Sequence, residues 1–270
     1  MIAKLHIHAS VSNDQTFLQR SFFTPPFKVA NITEDKKAAK LELMLMCSSP
    51  GILDEDEYEM KIELDENAFV QLHTQSYQRL FSMKKGATQK LEVHLQRGSS
   101  FVYLPHPSVP HEDSIFKAIN KIYIDDHCAL IWGEVLTCGR KLNGEVFKFS
   151  KYHNITEVYH QRKLIIKENL LMQPATIDVN GIGQLNGFTH QATLLYLNEN
   201  AATKNLIEEL AEYLNDQNEM IFGITEAPKI GIILRLLGQK AEQLHNSLKN
   251  ISSFIIQNSK FKIQNSTVES

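Results

Sequence analysis

Side chains able to do chemistry concentrate between residues 103 and 149. A proline-bracketed turn (Leu104-Pro105-His106-Pro107) leads into a polar loop with His111, Glu112 and Asp113, and His127, Cys128 and Cys138 follow. Imidazole, thiolate and carboxylate together suit borderline divalent ions such as nickel and zinc. One reading makes His106, His111, Glu112 and Asp113 the site of a metal-dependent hydrolase. No C-x-x-C or H-E-x-x-H spacing is present, so a closed metal site has no support from spacing. His6 and His8 lie two residues apart and share one strand face. Glu134 and Glu145 flank Arg140. Two carboxylates about one guanidinium read as a catalytic pair or as an ion-pair network within a β-layer, and the network is the expectation. The acidic run Asp54-Glu55-Asp56-Glu57 reads as the solvated start of a strand or as a mouth that attracts cations.

Several chemistries are excluded. There is no G-x-x-x-x-G-K-[ST] motif, and Gly181, Gly183 and Gly187 are out of register with a dinucleotide fingerprint in an Asn- and Gln-rich stretch that reads as a loop. Any nucleotide used in this protein's work is therefore expected on a partner. No G-x-S-x-G elbow exists. Cys138, ahead of Gly139-Arg140, reads as a small buried hydrophobe rather than an activated thiol.

The elements that must position these groups are mostly strands. Apolar and polar residues alternate over 41–45, 58–64 and 91–95, a period that puts one set against a core. Residues 119–124, 129–136, 145–149 and 156–160 continue as expected strands. Turn residues recur between them, among them Ser49-Pro50-Gly51, Arg97-Gly98, Asp125-Asp126 and the tight-turn dipeptide Asn143-Gly144. Many short strands at regular spacing argue for a sandwich, a barrel or a β-helix, and periodicity does not choose. From residue 203 the pattern changes. Leu206, Ile207, Leu210, Tyr213 and Leu214 recur at helical spacing over 203–217. Pro228 is expected to open a second helix with Ile232, Leu236 and Leu244 on its apolar face. The tail over 258–270 is polar and expected to fray. No Pro-, Gly- or Ser-rich linker interrupts the chain, so residues 1–270 read as a single domain, β-rich over 1–200 with a helical part over about 203–250.

Composition bounds the function. The 270 residues are 43% hydrophobic with a net charge of −3, which suits a globular core and argues against non-specific nucleic-acid binding. Three widely spaced cysteines fit a reducing compartment rather than a disulfide framework. The N-terminal stretch lacks a signal-peptide pattern, and the longest apolar runs are too short for a membrane span. The expectation is a cytoplasmic protein without membrane or nucleic-acid partners.

Specific segments resemble a known family. Leu104-Pro105-His106-Pro107-Ser108-Val109-Pro110, then Ala129-Leu130-Ile131-Trp132-Gly133-Glu134-Val135-Leu136, then Gly139-Arg140 and Gly144-Glu145-Val146-Phe147 are similar to the urease accessory protein UreD family (UreH in some bacteria). Thr24-Pro25-Pro26-Phe27-Lys28-Val29 resembles its early Pro-Leu segment. Leu72-His73-Thr74-Gln75-Ser76-Tyr77-Gln78-Arg79 resembles its Thr-Gln strand, and Ile233-Leu234-Arg235-Leu236-Leu237-Gly238 its late helix. The likeness spans about residues 24–249. In one place the chain departs: Pro50-Gly51 and Glu55-Asp56 stand where the family has Gly-Gly and Gly-Asp. Pro and Glu are not expected at positive φ, so a different turn is expected there.

The resemblance implies a mainly β protein, β-helix-like or a layered sheet scaffold of many short strands, with about two helices in the C-terminal third. It implies a non-catalytic urease maturation scaffold that docks on apo-urease, binds UreF and through it the GTPase UreG, and assists nickel insertion, with an internal passage for Ni²⁺. No cofactor is held stably, because a conduit needs weak, sequential ligands. Asp56, Glu134 and Glu145 are then candidates for the path or its supports, and Arg140 would neutralise a carboxylate when nickel is absent. Pro105, His106, Pro107 and Pro110, with Gln75 and Arg79, become candidates for partner docking, and the helical third for the face toward UreF.

Overall fold

A computed structural model of the protein describes residues 1–35, 37–227 and 231–258. The chain opens on β1 (Ile2–Ser12), β2 (Gln15–Phe23), β3 (Phe27–Asn31) and β4 (Lys40–Cys47). Then come β5 (Glu57–Leu64), β6 (Phe69–Thr74), β7 (Gln78–Leu80), β8 (Ala87–Leu95), β9 (Ser100–Tyr103) and β10 (Ser108–Pro110). The next strands are β11 (Ile115–Ile124), β12 (Ala129–Thr137), β13 (Lys151–His160), β14 (Lys163–Met172) and β15 (His190–Asn198). Helix α1 (Thr203–Asn215), β16 (Met220–Ala227), β17 (Gly231–Gly238) and helix α2 (Ala241–Asn258) complete it.

The strands form a seven-stranded and a ten-stranded sheet. In the first, β1, β5, β8, β11 and β13 run parallel. In the second, β4, β6, β9 and β12 run parallel. The main strands from β4 to β13 alternate between the two sheets, so the chain winds as a flattened coil. This is the β-helix-like, layered scaffold that the resemblance implies. Tight turns stack from coil to coil. Asn67 N donates to Arg97 O (3.1 Å) and Gly98 N to Asp126 O (3.1 Å), and Asn67, Gly98 and His127 take φ of 61°, 72° and 61°. At Gly98 glycine is also demanded by space, since a Cβ would fall onto Asn67 Oδ1.

One apolar core fills the space between the sheets. A second lies between the outer face of β12, β15 and β17 and the helices, where Leu210, Leu214, Leu248 and Ile255 pack on Ile131, Val135 and Leu234. β12 is therefore covered on both faces, which explains its nearly unbroken apolar sequence.

Four expectations are corrected. Residues 145–149 are not a strand. Asn143-Gly144 closes a 3₁₀ turn (Lys141–Asn143) with Gly144 at φ +78°, and the following backbone folds back through Phe147 N to Cys138 O (2.7 Å). The second helix starts at Ala241 and retains Leu244, while Ile232 and Leu236 belong to β17, antiparallel between β15 and β16. β-Branched Ile232 and Ile233 between Gly231 and Gly238 favour a strand, so the segment carrying Arg235 is a strand too. Pro228 and residues 259–270, with their expected helix start and frayed tail, lie outside the described residues. Glu55 does adopt positive φ (+64°), held by its N–H on Gly86 O (3.0 Å), so loss of the family's glycine does not forbid that backbone.

Candidate functional site

Alternation along β12 decides where Glu134 points. Leu130, Trp132 and Leu136 enter the core between the sheets, whereas Ile131 and Val135 face the helices. Glu134 is in phase with the first set and is directed inward. Its neighbour Gly133 lets α2 lie against the strand, because a Cβ there would fall onto Leu104 Cδ2 and stand 3.1 Å from Leu248 Cδ1. Facing Glu134 are Asn120 of β11 and Asn154 and Thr156 of β13, brought together by the pairing of Asn120 with Thr156 and of Ala118 with Asn154.

Every group around this carboxylate donates to it. Oε1 accepts from Trp132 Nε1 (2.8 Å), Thr156 Oγ1 (2.8 Å) and Asn120 Nδ2 (3.3 Å). Oε2 accepts from Asn154 Nδ2. Asn120 Nδ2 also reaches Asn154 Oδ1 (3.0 Å) and Thr156 Oγ1 (2.9 Å), so the network is closed. An acceptor ringed by donors is the ionised form of a carboxyl. Burial pushes its pKa up, however, against the pull of Trp132, Thr156 and Asn154, and the Glu168 carboxylate adds to the rise. Among the described residues no Lys, Arg or His forms an ion pair with Glu134. Arg235, across the adjoining cavity, is held by Glu168 at 2.8 and 2.6 Å.

Two cavities meet here. One of about 140 Å³ lies between the sheets and extends from Glu134 past Tyr103 and Gln78 to Cys47, Gly51 and His106. The other, about 280 Å³, extends from Glu134 to Glu168, Gln191, Thr193 and Arg235. Glu134, Val135, Tyr152 and Asn154 line both. In the first cavity burial raises the phenol pKa of Tyr58, Tyr103 and Tyr152, so these walls stay uncharged. At its rim His106 Nδ1 shares a hydrogen bond with Thr74 Oγ1 (2.9 Å), and its ring stacks on His245 at 4.9 Å. Burial lowers the pKa of both imidazoles, that of His245 to about 4, so the rim carries no added positive charge near neutrality. The arrangement can accept a cation at one central carboxylate, with uncharged walls on the side of the first cavity and the Glu168–Arg235 pair on the side of the second.

The other expected residues lie elsewhere. Asp56 is buried and lines neither cavity; its Oδ2 accepts from Leu53 N (2.9 Å) and its Oδ1 lies 3.2 Å from the Met1 ammonium. It secures the turn behind residues 49–52, which do line the first cavity. Glu145 is gripped by both Nε (2.8 Å) and Nη2 of Arg140 and accepts from Glu112 N (3.2 Å). The Arg140 guanidinium holds its carboxyl low. Arg140 is exposed and does not pair with Glu134, so the expected network spanning both glutamates within a β-layer is corrected to a single pair between exposed Arg140 and buried Glu145. The break in β structure at residues 138–150 carries Arg140 out of the layer.

The hydrolase quartet does not assemble either. His106 stands at the cavity rim, His111 is buried against Phe81 (4.8 Å), and Glu112 and Asp113 are exposed. Among the described residues the His, Cys, Asp and Glu groups that converge within 4.8 Å are Asp126, His160 and Glu199. Of the docking candidates, Gln75 and Arg79 are exposed and Pro105 and His106 half-buried, but Pro107 and Pro110 are buried. Residues 108–110 pair with β7, which pins that stretch inside the sheet. Asn120, Asn154 and Thr156 were not anticipated. Their signal was polar residues on the buried phase of alternating strands, as in Phe116, Ala118, Asn120 and Ile122.

Fold and site together define a class: a two-sheet β-coil scaffold with two cavities meeting at an inward carboxylate and helices on one outer face. The family described as UreD urease accessory protein matches residues 1–262. A protein named urease accessory protein UreD from Flavobacterium johnsoniae is 47% identical, covering 93% of this chain and 91% of its own length. Proteins of the same name from Acetivibrio thermocellus (35% identical; 94% and 97% covered) and Haemophilus influenzae (31%; 94% and 99%) are similar throughout. The chain belongs to the UreD urease accessory protein family.

Proposed function

We propose that this chain is a non-catalytic scaffold of urease maturation. It docks on apo-urease, binds UreF and through it the GTPase UreG, and offers nickel a route through its two cavities past Glu134. One observation carries the reading: an inward-facing, half-buried carboxylate, ringed by donors and without a cation, stands where two cavities share a wall. A cargo divalent ion supplies the counter-charge that Glu134 lacks, and the uncharged walls of the first cavity let it leave. Asp56 and Glu145 act as supports, one behind the cavity loop and one at the Arg140 turn. The exposed segment of Gln75 and Arg79 beside the cavity rim, and the helices on the second sheet, are the surfaces offered to partners. No described helix is long and apolar enough to cross a membrane.

The test is co-expression of urease subunits and the other accessory proteins with and without this chain. Nickel content and activity of the urease should fall when it is omitted; equal nickel in its absence refutes the scaffold role. Retention of UreF and UreG on the tagged chain is the companion readout, and failure to capture either overturns the assembly as stated.

A further inference from the structure

Far from both cavities, three chain segments bring two carboxylates and two imidazoles together at one end of the coil. Asp126 and His127 occupy the turn from β11 to β12, His160 ends β13, and Glu199 follows β15. His160 Nε2 lies 2.9 Å from Asp126 Oδ1 and 3.3 Å from Glu199 Oε1. His127 Nδ1 lies 3.6 Å from Glu199 Oε2. Donors about 2.1 Å from one ion sit roughly 3.0–3.5 Å apart when adjacent, so the cluster already has the spacing of a coordination shell. One ligand atom from each of Asp126, His160 and Glu199 fits within 4.8 Å.

Charge supports the same reading. Several glutamates on the outer face of the first sheet have lysine partners, as in Glu63 with Lys61 and Glu157 with Lys167, although Glu92 there pairs with His94. Among the described residues no Lys or Arg forms an ion pair with Asp126 or Glu199; their ion-pair partners are imidazoles, and Asp126 Oδ1 also accepts from Gln161 Nε2 (2.8 Å). Two carboxylates within one cluster are balanced in charge by one divalent cation. The side chains range from 23% exposed at His160 to 46% at Asp126 and 52% at His127, which leaves room for water ligands and for exchange.

We propose that Asp126, His160 and Glu199, with His127 as a fourth donor, bind one divalent transition-metal ion of the nickel or zinc class. The ligands come from both sheets, so the ion clips the end of the coil. None of these residues lines either cavity, and the site stands whether or not nickel passes Glu134.

The test uses the full chain, stripped with a chelator and dialysed against Ni²⁺ or Zn²⁺. The Asp126→Asn/His160→Gln double variant should lose one bound ion per chain and the metal-induced rise in Tm. Glu199→Gln, a milder change at the exposed end, should weaken binding at least about tenfold, as loss of an anionic ligand implies. Glu134→Gln should retain the site. The proposal is overturned if the double variant or Glu199→Gln binds the same number of ions with the parent's affinity. It is equally overturned if Glu134→Gln alone abolishes the ion, or if the parent binds only at millimolar metal.

Discussion

Glu134→Gln alters one charge and almost no volume. The amide oxygen can take the place of Oε1 and keep the bonds from Trp132 (2.8 Å), Thr156 (2.8 Å) and Asn120 (3.3 Å). The amide nitrogen then meets Asn154 Nδ2, donor against donor, which costs about 1–3 kcal/mol. Removal of a half-buried charge with no counter-ion works in the opposite direction. The two nearly offset, so the variant should melt within about 5 °C of the parent. For the ion nothing offsets the loss. A divalent cation about 6 Å from a unit negative charge gains about 5.5 kcal/mol at an effective dielectric near 20. If desolvation of the ion leaves only a quarter of that, about 1.4 kcal/mol remains, a factor of about ten in occupancy. Two assays read it. Urease co-expressed with its partners and the variant should contain at least several-fold less nickel while UreF stays bound. In the isolated chain, Trp132 is the single tryptophan and donates to Glu134, so Ni²⁺ should quench its emission, with a midpoint about tenfold higher in the variant. Parent-like nickel content together with an unchanged quenching midpoint would refute the transit role of Glu134.

Other perturbations follow from the same contacts. His190 and His245 are buried with pKa lowered to about 4, chiefly by burial. The folded chain therefore binds fewer protons than the unfolded one, and stability present above pH 6.5 is lost as pH falls toward 4, by about 2 kcal/mol per histidine at pH 5. His245→Leu should flatten the fall in Tm between pH 7 and 5, and an unchanged slope would exclude His245 as a cause. Gly133→Ala forces a methyl onto Leu104 and within 3.1 Å of Leu248; a loss of about 1–3 kcal/mol is expected by denaturant titration, and no loss would mean that α2 shifts freely. Gly139 sits at φ +117°, where a Cβ would lie 2.8 Å from Glu145 O and 2.9 Å from Pro110 O. Gly139→Ala should cost more than about 2 kcal/mol. Gly144, at φ +78° with nothing within 4 Å, should tolerate Ala for about 1 kcal/mol. Equal midpoints in urea for the two alanine variants would overturn that distinction.

Much of the fold was legible in the sequence because its cues are local. Two-residue alternation announced β4, β5, β8, β11 and β13, and helical spacing announced α1, since each depends on neighbours a few residues apart. The apolar run around Glu134 marked a strand, β12, and the structure showed it to be covered on both faces. What the sequence left open was which groups meet. Arg140 could have reached either glutamate; the break in β structure after Cys138 gave it Glu145. The ring of donors on Glu134 comes from strands 14 and 20 residues away in the chain, and their register is set by the stacking of turns from coil to coil. β17 read as a helix because one apolar run suits either state until its hydrogen-bonding partners are known. Glu55 shows the same limit at a single residue: intrinsic preference disfavoured positive φ, and the bond to Gly86 overrode it. The sequence by itself determined periodicity, composition and family. The tertiary structure alone decided the pairing of charges and the meeting of two cavities at one carboxylate, because both depend on contacts between coils that local preference does not encode.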